Sequence, residues 1–577
     1  MAKMQSKLLT HAGTLVPMLT PDSGHGRSHR ILNLSILLSA LLSLQVSAQS
    51  EAQDIRRVAS FEQWPGVSQL IAYNDRLWFV NSQPYKDSNV ADIYSISTDD
   101  LSPRYERSLF SQDTGNPVVY NGLLHWPFED PRRSAGTGEY AVTDGSNWEW
   151  RIMQSGSVMH VHAMNVCDNQ LVAVTGSWTG QLHVLEPDNQ WRVQYDYAAG
   201  EAPFSRLVNV GQFNERCVVA AAARGKQEPK LFSLDSAETD SVSGWPNSDR
   251  VDGLTIHQDN LFAFADTRDD RSLYRFDGEQ THKISLPQAH RPTALHSDGE
   301  HLWLTTRHAM TDGSRGQLWR LNGKNEFDPL AGLAQFPISL TRYGEYIAIG
   351  TYDTAGAGLW LYGHGLAGEP VDASSASGVV LSSSTEQGPL DQVKLASLVE
   401  ELATLIEDPR STDDYARTLR RQLGRHPDLK TPEFGAAIVQ LLKLPLDNSP
   451  VQMFGRRTLT RRSLIHWYLI NAMAISGHGR IDPAMINADL DSLKKKADAN
   501  APKPRQNGKN FDPTIAAIVA SGWLQQNDRE TVDALMQRLN RESDIASVKA
   551  DVIGALTAIT QQRFAYDTDA WNQWWNQ

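Results

Sequence analysis

Four basic side chains, His160, Arg206, Arg250 and Arg291, occupy the same register of a recurring pattern. Each stands 11 residues before a residue that opens a short apolar strand; these anchors are Leu77, Leu124, Leu171, Cys217, Leu261, Leu302 and Tyr346. The remaining units carry Gly66, Asp113 and Gln335 in that register. His162 follows His160 by two positions, so both can lie on one side of an extended chain. His290 adjoins Arg291, and Arg132, Arg133, Arg307 and His308 fall on neighbouring loops. Guanidinium groups grip carboxylate or sulfate through paired hydrogen bonds, and a cationic cleft concentrates anions. The expectation is an anion-binding site drawn from His125, His160, His162, Arg206, Arg250, His290, Arg291, Arg132 and Arg133. The competing expectation is that the arginines pair with nearby acids: Asp113, Glu129, Asp130, Glu201, Asp249 and Asp252.

Such a set could also catalyse. β-Elimination on a uronate needs a cation on the carboxylate, a base for the α-proton and an acid for the leaving oxygen. His160 or His162 as base, Arg206 or Arg250 as neutraliser, and Tyr195 or Tyr197 as acid would supply these roles. Metal-assisted hydrolysis would draw ligands from His160 and His162, with His125 or His290 as a third. A histidine pair two apart is a weak signal. No HExxH, EF-hand loop or C-x-x-C accompanies it, so no metal or other cofactor is expected. No G-x-S-x-G at a strand–helix junction supports a serine nucleophile.

The elements that must position these residues recur with them. Paired strands joined by a polar turn appear at 71–80, 118–127, 165–174, 211–220, 255–264, 295–304 and 340–349, with successive anchors 41 to 47 residues apart. A third strand follows each pair (DIYSI, EYAVTD, QLHVLE, KLFSLD, SLYRFD, QLWRLN, GLWLYG), and a less regular fourth follows most. Four β-branched and aromatic strands at this period describe a propeller blade. The expected fold is an all-β seven-bladed propeller over 49–366, the basic register ringing its channel. The last unit lacks a fourth strand, and Ile55–Glu62 is the candidate to close the ring beside GLWLYG. Cys167 and Cys217, the only cysteines, fall at equivalent hairpin ends of adjacent units; a disulfide and two buried small side chains are both open.

A Ser/Gly-rich linker spans 367–390, and 391–577 takes helical spacing, beginning with Leu395, Leu398, Val399, Leu402 and Ile406. Thr431-Pro432, Asp482-Pro483 and Asp512-Pro513 each set a capping residue before a first-turn proline. The final stretch, ITQQRFAYDTDAWNQWW, resembles the end of bacterial HEAT-like repeats, which implies an all-α helical-repeat domain and a protein-interaction role. Trp571, Trp574 and Trp575 are read as core packing. Arg456, Arg457, Arg461 and Arg462, like Lys494 to Lys496, are read as solvated helix faces. The stretch from Trp126 through SVMHVHAMNV resembles uncharacterised secreted bacterial propellers. The architecture is similar to that of propeller-type polysaccharide lyases, including some that cleave ulvan, which implies an acidic glycan as ligand or substrate.

Arg27 and Arg30 precede an apolar run from Ile31 to Val46, and Val46-Ser47-Ala48 fits a cleavage site. This predicts a signal peptide over 1–48, with Met18 a candidate start, and a periplasmic or secreted protein. No later stretch is long and apolar enough to span a membrane. The net charge of −13 excludes a general nucleic-acid binder. The expected partners are an acidic glycan or other anion at the channel and an envelope protein on the helices.

Overall fold

The computed structural model describes residues 55–83, 90–129, 131, 138–153, 160–176, 180–197, 206–227, 230–232, 239–246, 248–266, 270–287, 290–308, 315–324, 326–364, 366, 370–372, 430–443, 448, 450–453, 457–490, 512–542, 544 and 546–577. The expected signal peptide and Met18, the linker after Asp372, the helix from Leu395 to Ile406, Arg132, Arg133, Arg456 and Lys494 to Lys496 lie outside the described residues.

The strands pair as successive antiparallel meanders, and the chain forms a β-propeller. In one meander, His160–Cys167 pairs with Gln170–Gly176, which pairs with Gly180–Leu185, which pairs with Trp191–Tyr197. The innermost strands elsewhere are Gly66–Tyr73, Val118–Tyr120, Arg206–Phe213, Ser248–His257, Arg291–Ser297 and Phe336–Tyr343. The inner hairpins turn on polar pairs. Asn74 and Asp75, Asp168 and Asn169, Asn214 and Glu215, and Gln258 and Asp259 all hold both residues at positive φ. That is the turn geometry whose twist matches a two-residue hairpin, and Asn and Asp tolerate it best among residues with a Cβ.

Alternate residues of a strand point to opposite faces, and here both faces are covered. Leu171 and Ala173 join the buried cluster on one side of their meander, and Val172 and Val174 join the cluster on the other. Cys217 and Val219 divide from Val218 and Ala220 in the same way. A strand buried on both faces reads as a continuous apolar run, as VAV and CVVAAA do. Cys167 and Cys217 are joined by a disulfide across this interface, 50 residues apart in sequence.

The ring closes where expected. Ile55–Phe61 pairs antiparallel with Ala357–Tyr362, from Ile55 opposite Tyr362 to Phe61 opposite Ala357. Val371 and Asp372 then add in parallel to the outside of that strand, a pairing the sequence did not suggest.

The C-terminal region contains seven helices among its described residues: α1 (Pro432–Leu441), α2 (Arg461–Ser476), α3 (Pro483–Asn487), α4 (Pro513–Trp523), α5 (Arg529–Leu539), α6 (Ala546–Thr560) and α7 (Thr568–Trp575). The three cap–proline starts are realised: Thr431, Asp482 and Asp512 accept hydrogen bonds from the amides of Phe434, Ala484 and Thr514. Inside the helical layer, Arg538 and Asp544 form a fully buried ion pair, and Arg538 also donates to the Ala488 carbonyl at 2.6 Å. Trp571 is fully buried, as its packing role requires. No described helix is long and apolar enough to cross a membrane.

The helices share a core with the outer strands. Trp64, Val90, Phe110, Phe128 and Trp150 belong to the same buried cluster as Leu464, Ile518, Trp523 and Leu556. Arg107 lies 4.1 Å over the Trp523 ring and donates to the Trp523 carbonyl at 2.6 Å. The Arg563 guanidinium stacks over Tyr94 and Tyr105 at 5.0 and 4.9 Å. Gly522 and Gly554 permit the close approach, since a Cβ at either would meet Phe110 or Val90 within 2.7 Å.

Candidate functional site

The basic register survives in the strand pairing. His160, Arg206, Arg250 and Arg291 each open an innermost strand opposite the last residues of their hairpin partners: Gly176, Ala222, Asp266 and Arg307. Gly66 does the same opposite Ser82. Arg206 and Arg250 also bridge to the preceding meander, at Gly176 and Ala222. Gly176 is required there, because a Cβ would sit 2.7 Å from the Arg206 side chain. Gln335 lies one residue before its strand and turns inward, donating to the Gly356 carbonyl and accepting from Thr351 and Trp360.

Two or three residues beyond this register the innermost strands carry a β-bulge, between Ser68 and Ile71, Val161 and Ala163, Leu207 and Asn209, Asp252 and Thr255, Pro292 and Ala294, and Pro337 and Ser339. The skipped residues reach the channel, beside paired neighbours such as Ser68, Asn209 and Ser339. Leu70, His162, Val208, Leu254, Thr293 and Ile338 all line one central cavity of ≈ 380 Å³. A bulge re-aims a side chain and tightens local twist. It is this device, rather than simple alternation, that brings His162 to the cavity wall.

One side of the cavity is charged. Glu129, His162, Arg250, Asp252 and Arg271 line it. The rings of His160 and His162 stack nearly parallel, with centroids 5.4 Å apart. Both turn Nδ1 toward Glu129: His160 contacts its carbonyl oxygen, and His162 lies 3.9 Å from its carboxylate. The His162 Nε2 is buried without a hydrogen-bond partner among the described residues. Burial and the Arg206 charge lower the His160 pKa to about 4. Burial, then His160, Arg206 and Arg250, hold His162 well below the ordinary histidine range. Both imidazoles are therefore neutral at neutral pH.

The arginines divide. Arg250 pairs with Asp252 at 3.1 Å but keeps 47% of its side chain exposed. Arg271 spans Asp252 at 3.4 Å and Asp266 at 3.2 Å. Burial opposes the Asp252 charge, but Arg250 and Arg271 prevail and hold its pKa below the usual value. The competing expectation of acid pairing thus holds for Arg250. Arg206 makes no ion pair among the described residues, and it is close enough to depress both histidines. Arg291 is exposed at its strand start. Arg271 and Asp266 were absent from the sequence-based site. Arg271 opens a third strand, and only strand pairing sets it against Asp266.

Other expected residues go elsewhere. His290 stands 4.3 Å from His308 and 4.9 Å from Trp319, and its Nδ1 is 3.0 Å from the Thr306 hydroxyl. It forms a separate cluster and does not line the cavity. His125 is not brought to the channel. It sits on a second strand between the rings of Tyr120 and Tyr140, and burial lowers its pKa to about 4. Tyr195 lies on the outermost strand of its meander, against the cluster that contains Val174 and Leu182, and is not a lining residue. The same alternation that predicts a strand there places its ring between meanders. No group of three or more metal-ligating side chains occurs among the described residues.

Asp113 is buried behind the cavity. It accepts from the Ser68 and Ser82 hydroxyls at 3.2 and 3.0 Å and from the Thr114 amide at 2.8 Å. Burial outweighs these bonds and pushes its pKa up to about 6. Ser68 and Thr114 both line the cavity, so Asp113 ties two wall segments together.

No family profile and no curated protein matches the chain. Solved structures do. A catalytically inactive variant of virginiamycin B lyase from Staphylococcus aureus, with quinupristin, is 11% identical, covers 53% of this chain and 98% of its own, and has a TM-score of 0.40. The β-propeller domain of the trilobed protease from Pyrococcus furiosus is 10% identical over 53% of this chain and 96% of its own, with a TM-score of 0.38. YCF48 from Cyanidioschyzon merolae is 10% identical over 54% and 98%, also at 0.38.

Proposed function

We propose that this chain is an exported, seven-bladed propeller that recognises an anionic ligand at its channel, with an acidic polysaccharide as the ligand class. The observation that carries the reading is Arg206: a cation without an ion pair among the described residues, beside two neutral imidazoles and the half-exposed Arg250. The charges that line the cavity are paired, and Arg206, which opens its strand beside that lining rather than within it, is the group with most to gain from an incoming carboxylate. The disulfide supports export, because such bonds persist in oxidising compartments, and the N-terminal sequence supports a periplasmic or secreted destination. The helices are read as a HEAT-like layer whose faces turned away from the strands serve an envelope protein partner.

The test is binding of full-length protein to a panel of acidic polysaccharides by calorimetry. Arg206→Ala should weaken binding by about tenfold or more, as loss of a charge-assisted hydrogen bond does. Unchanged affinity in that variant rejects the channel as the site.

A second reading is β-elimination on a uronate. Two neutral histidines near a guanidinium that makes no ion pair among the described residues favour it, since a base must be unprotonated to act. Neither Tyr195 nor Tyr197, the expected acids, is among the described lining residues, and no other described tyrosine is. An unsaturated product absorbing in the ultraviolet, lost in His162→Ala, would establish this reading.

A further inference from the structure

We infer that the channel takes its anion end-on: the ligand is a small hydroxycarboxylate, or the carboxylate-bearing terminus of a longer chain, and not an internal segment of a polymer. This deepens the anion-binding reading above and rests on it.

Residues lining the cavity come from Gly66–Tyr73, His160–Cys167, Arg206–Phe213, Ser248–His257, Arg291–Ser297 and Phe336–Tyr343, and from Thr114 to Pro117 just before Val118–Tyr120. Every innermost strand, or the segment leading into it, therefore contributes. A groove that holds the middle of a polymer must be open along two directions. A wall supplied from all sides leaves entry only along the channel axis, so the middle of a chain would have to thread through.

The size agrees. A cavity of ≈ 380 Å³ lies at the small end of ligand pockets, about 300–1,000 Å³ in general. The lining also lacks a platform for a run of sugars, since none of its residues is Phe, Tyr or Trp.

The polar groups then define the ligand. Arg250 lines the cavity with 47% of its side chain exposed and can meet a carboxylate there, and Arg206 opens the neighbouring strand just outside the lining. The unpartnered Nε2 of His162 is buried, and the residue is only 8% exposed overall. Nδ1 lies 3.9 Å from the Glu129 carboxylate, whose charge favours the neutral tautomer protonated at Nδ1 and so leaves Nε2 as an acceptor. An acceptor calls for a donor, which a hydroxyl beside the carboxylate provides. Leaving such a buried atom unsatisfied is unfavourable, so a ligand hydroxyl there adds selectivity as well as affinity.

The experiment uses the full chain and four probes: galacturonate, its uncharged methyl ester, a short oligogalacturonate, and long polygalacturonate at equal total residue concentration. Calorimetry should give one site for galacturonate and for the oligomer, and binding to the polymer in proportion to its chain ends. The methyl ester should bind at least tenfold more weakly. Arg206→Ala should reduce galacturonate binding by a similar factor, and His162→Ala should remove the preference for galacturonate over a carboxylate lacking hydroxyls. Polymer binding that scales with total residues, with galacturonate silent and Arg206 still required, overturns end-on entry while leaving the anion reading intact. Binding indifferent to Arg206, or absent for all four probes, overturns both.

Discussion

At the residue scale, the charged wall is a set of compensations with one remainder. Arg250, Arg271, Asp252 and Asp266 form ion pairs with one another, and two histidines turn toward Glu129, so Arg206 stands out by making no ion pair among the described residues. Asp113 gives a second residue-scale consequence. Its folded pKa of about 6 exceeds the ordinary 3.8, so the folded chain holds this proton more tightly than the unfolded chain. Protonation therefore favours folding, and this group's contribution to stability falls as pH rises from about 4 to about 6. The difference of about two pKa units corresponds to roughly 3 kcal/mol. Asp113→Asn keeps an acceptor for Ser68, Ser82 or Thr114 and removes the titration. Urea midpoints measured from pH 4 to 7 should show the variant gaining on the parent as pH rises; parallel curves would refute the assignment. The shared register singled out His160, Arg206, Arg250 and Arg291, and His162 two residues beyond it; of these, His162 and Arg250 line the cavity. The pairing of Arg250 was legible only as an alternative, and the burial of His125 and Tyr195 was not, because a single sequence does not say which face of a strand meets a neighbouring meander.

At the scale of elements, turn chemistry and strand pattern made the hairpins readable, and the missing fourth strand led directly to Ile55–Phe61. The bulges were invisible. A bulge adds one residue to one strand, and an apolar run such as RLVNV hides the extra residue that periodicity would otherwise expose. They help decide which side chains reach the channel, so of the residues the register pointed to only His162 and Arg250 could be matched to the cavity lining. The disulfide links two neighbouring meanders through their inner hairpins. Closing a loop of 50 residues stabilises by about 4 kcal/mol in the chain-entropy model, with measured cases commonly about 2–4. A Cys167→Ala, Cys217→Ala double variant should unfold at lower denaturant by that amount, and added reductant should move the parent toward it. No change on reduction would show that the bond is not formed in solution.

At the scale of the whole molecule, the helical layer and the outer strands are one packed body. The sequence showed the change from period-two to helical spacing but not the shared core, because Trp64 and Phe110, beside strands, and Trp150, within one, look like ordinary meander residues until the helices cover them. Gly554 tests this. Replacing a mid-helix glycine usually helps a helix by up to about 1 kcal/mol, yet here a Cβ meets Val90 at 2.7 Å. Gly554→Val should cost about 1–3 kcal/mol by overpacking. Strand and helix signals should melt together in both parent and variant, and separate transitions would contradict a common core. The ring of meanders, on this account, holds His162 and Arg250 in the channel wall with His160 and Arg206 beside them. The most direct test is imidazole ¹H–¹⁵N NMR of the full chain during titration with galacturonate. The His160 and His162 resonances should shift and saturate together while His125, buried away from the cavity, stays fixed. Saturable binding that leaves both channel histidines unmoved would contradict the account.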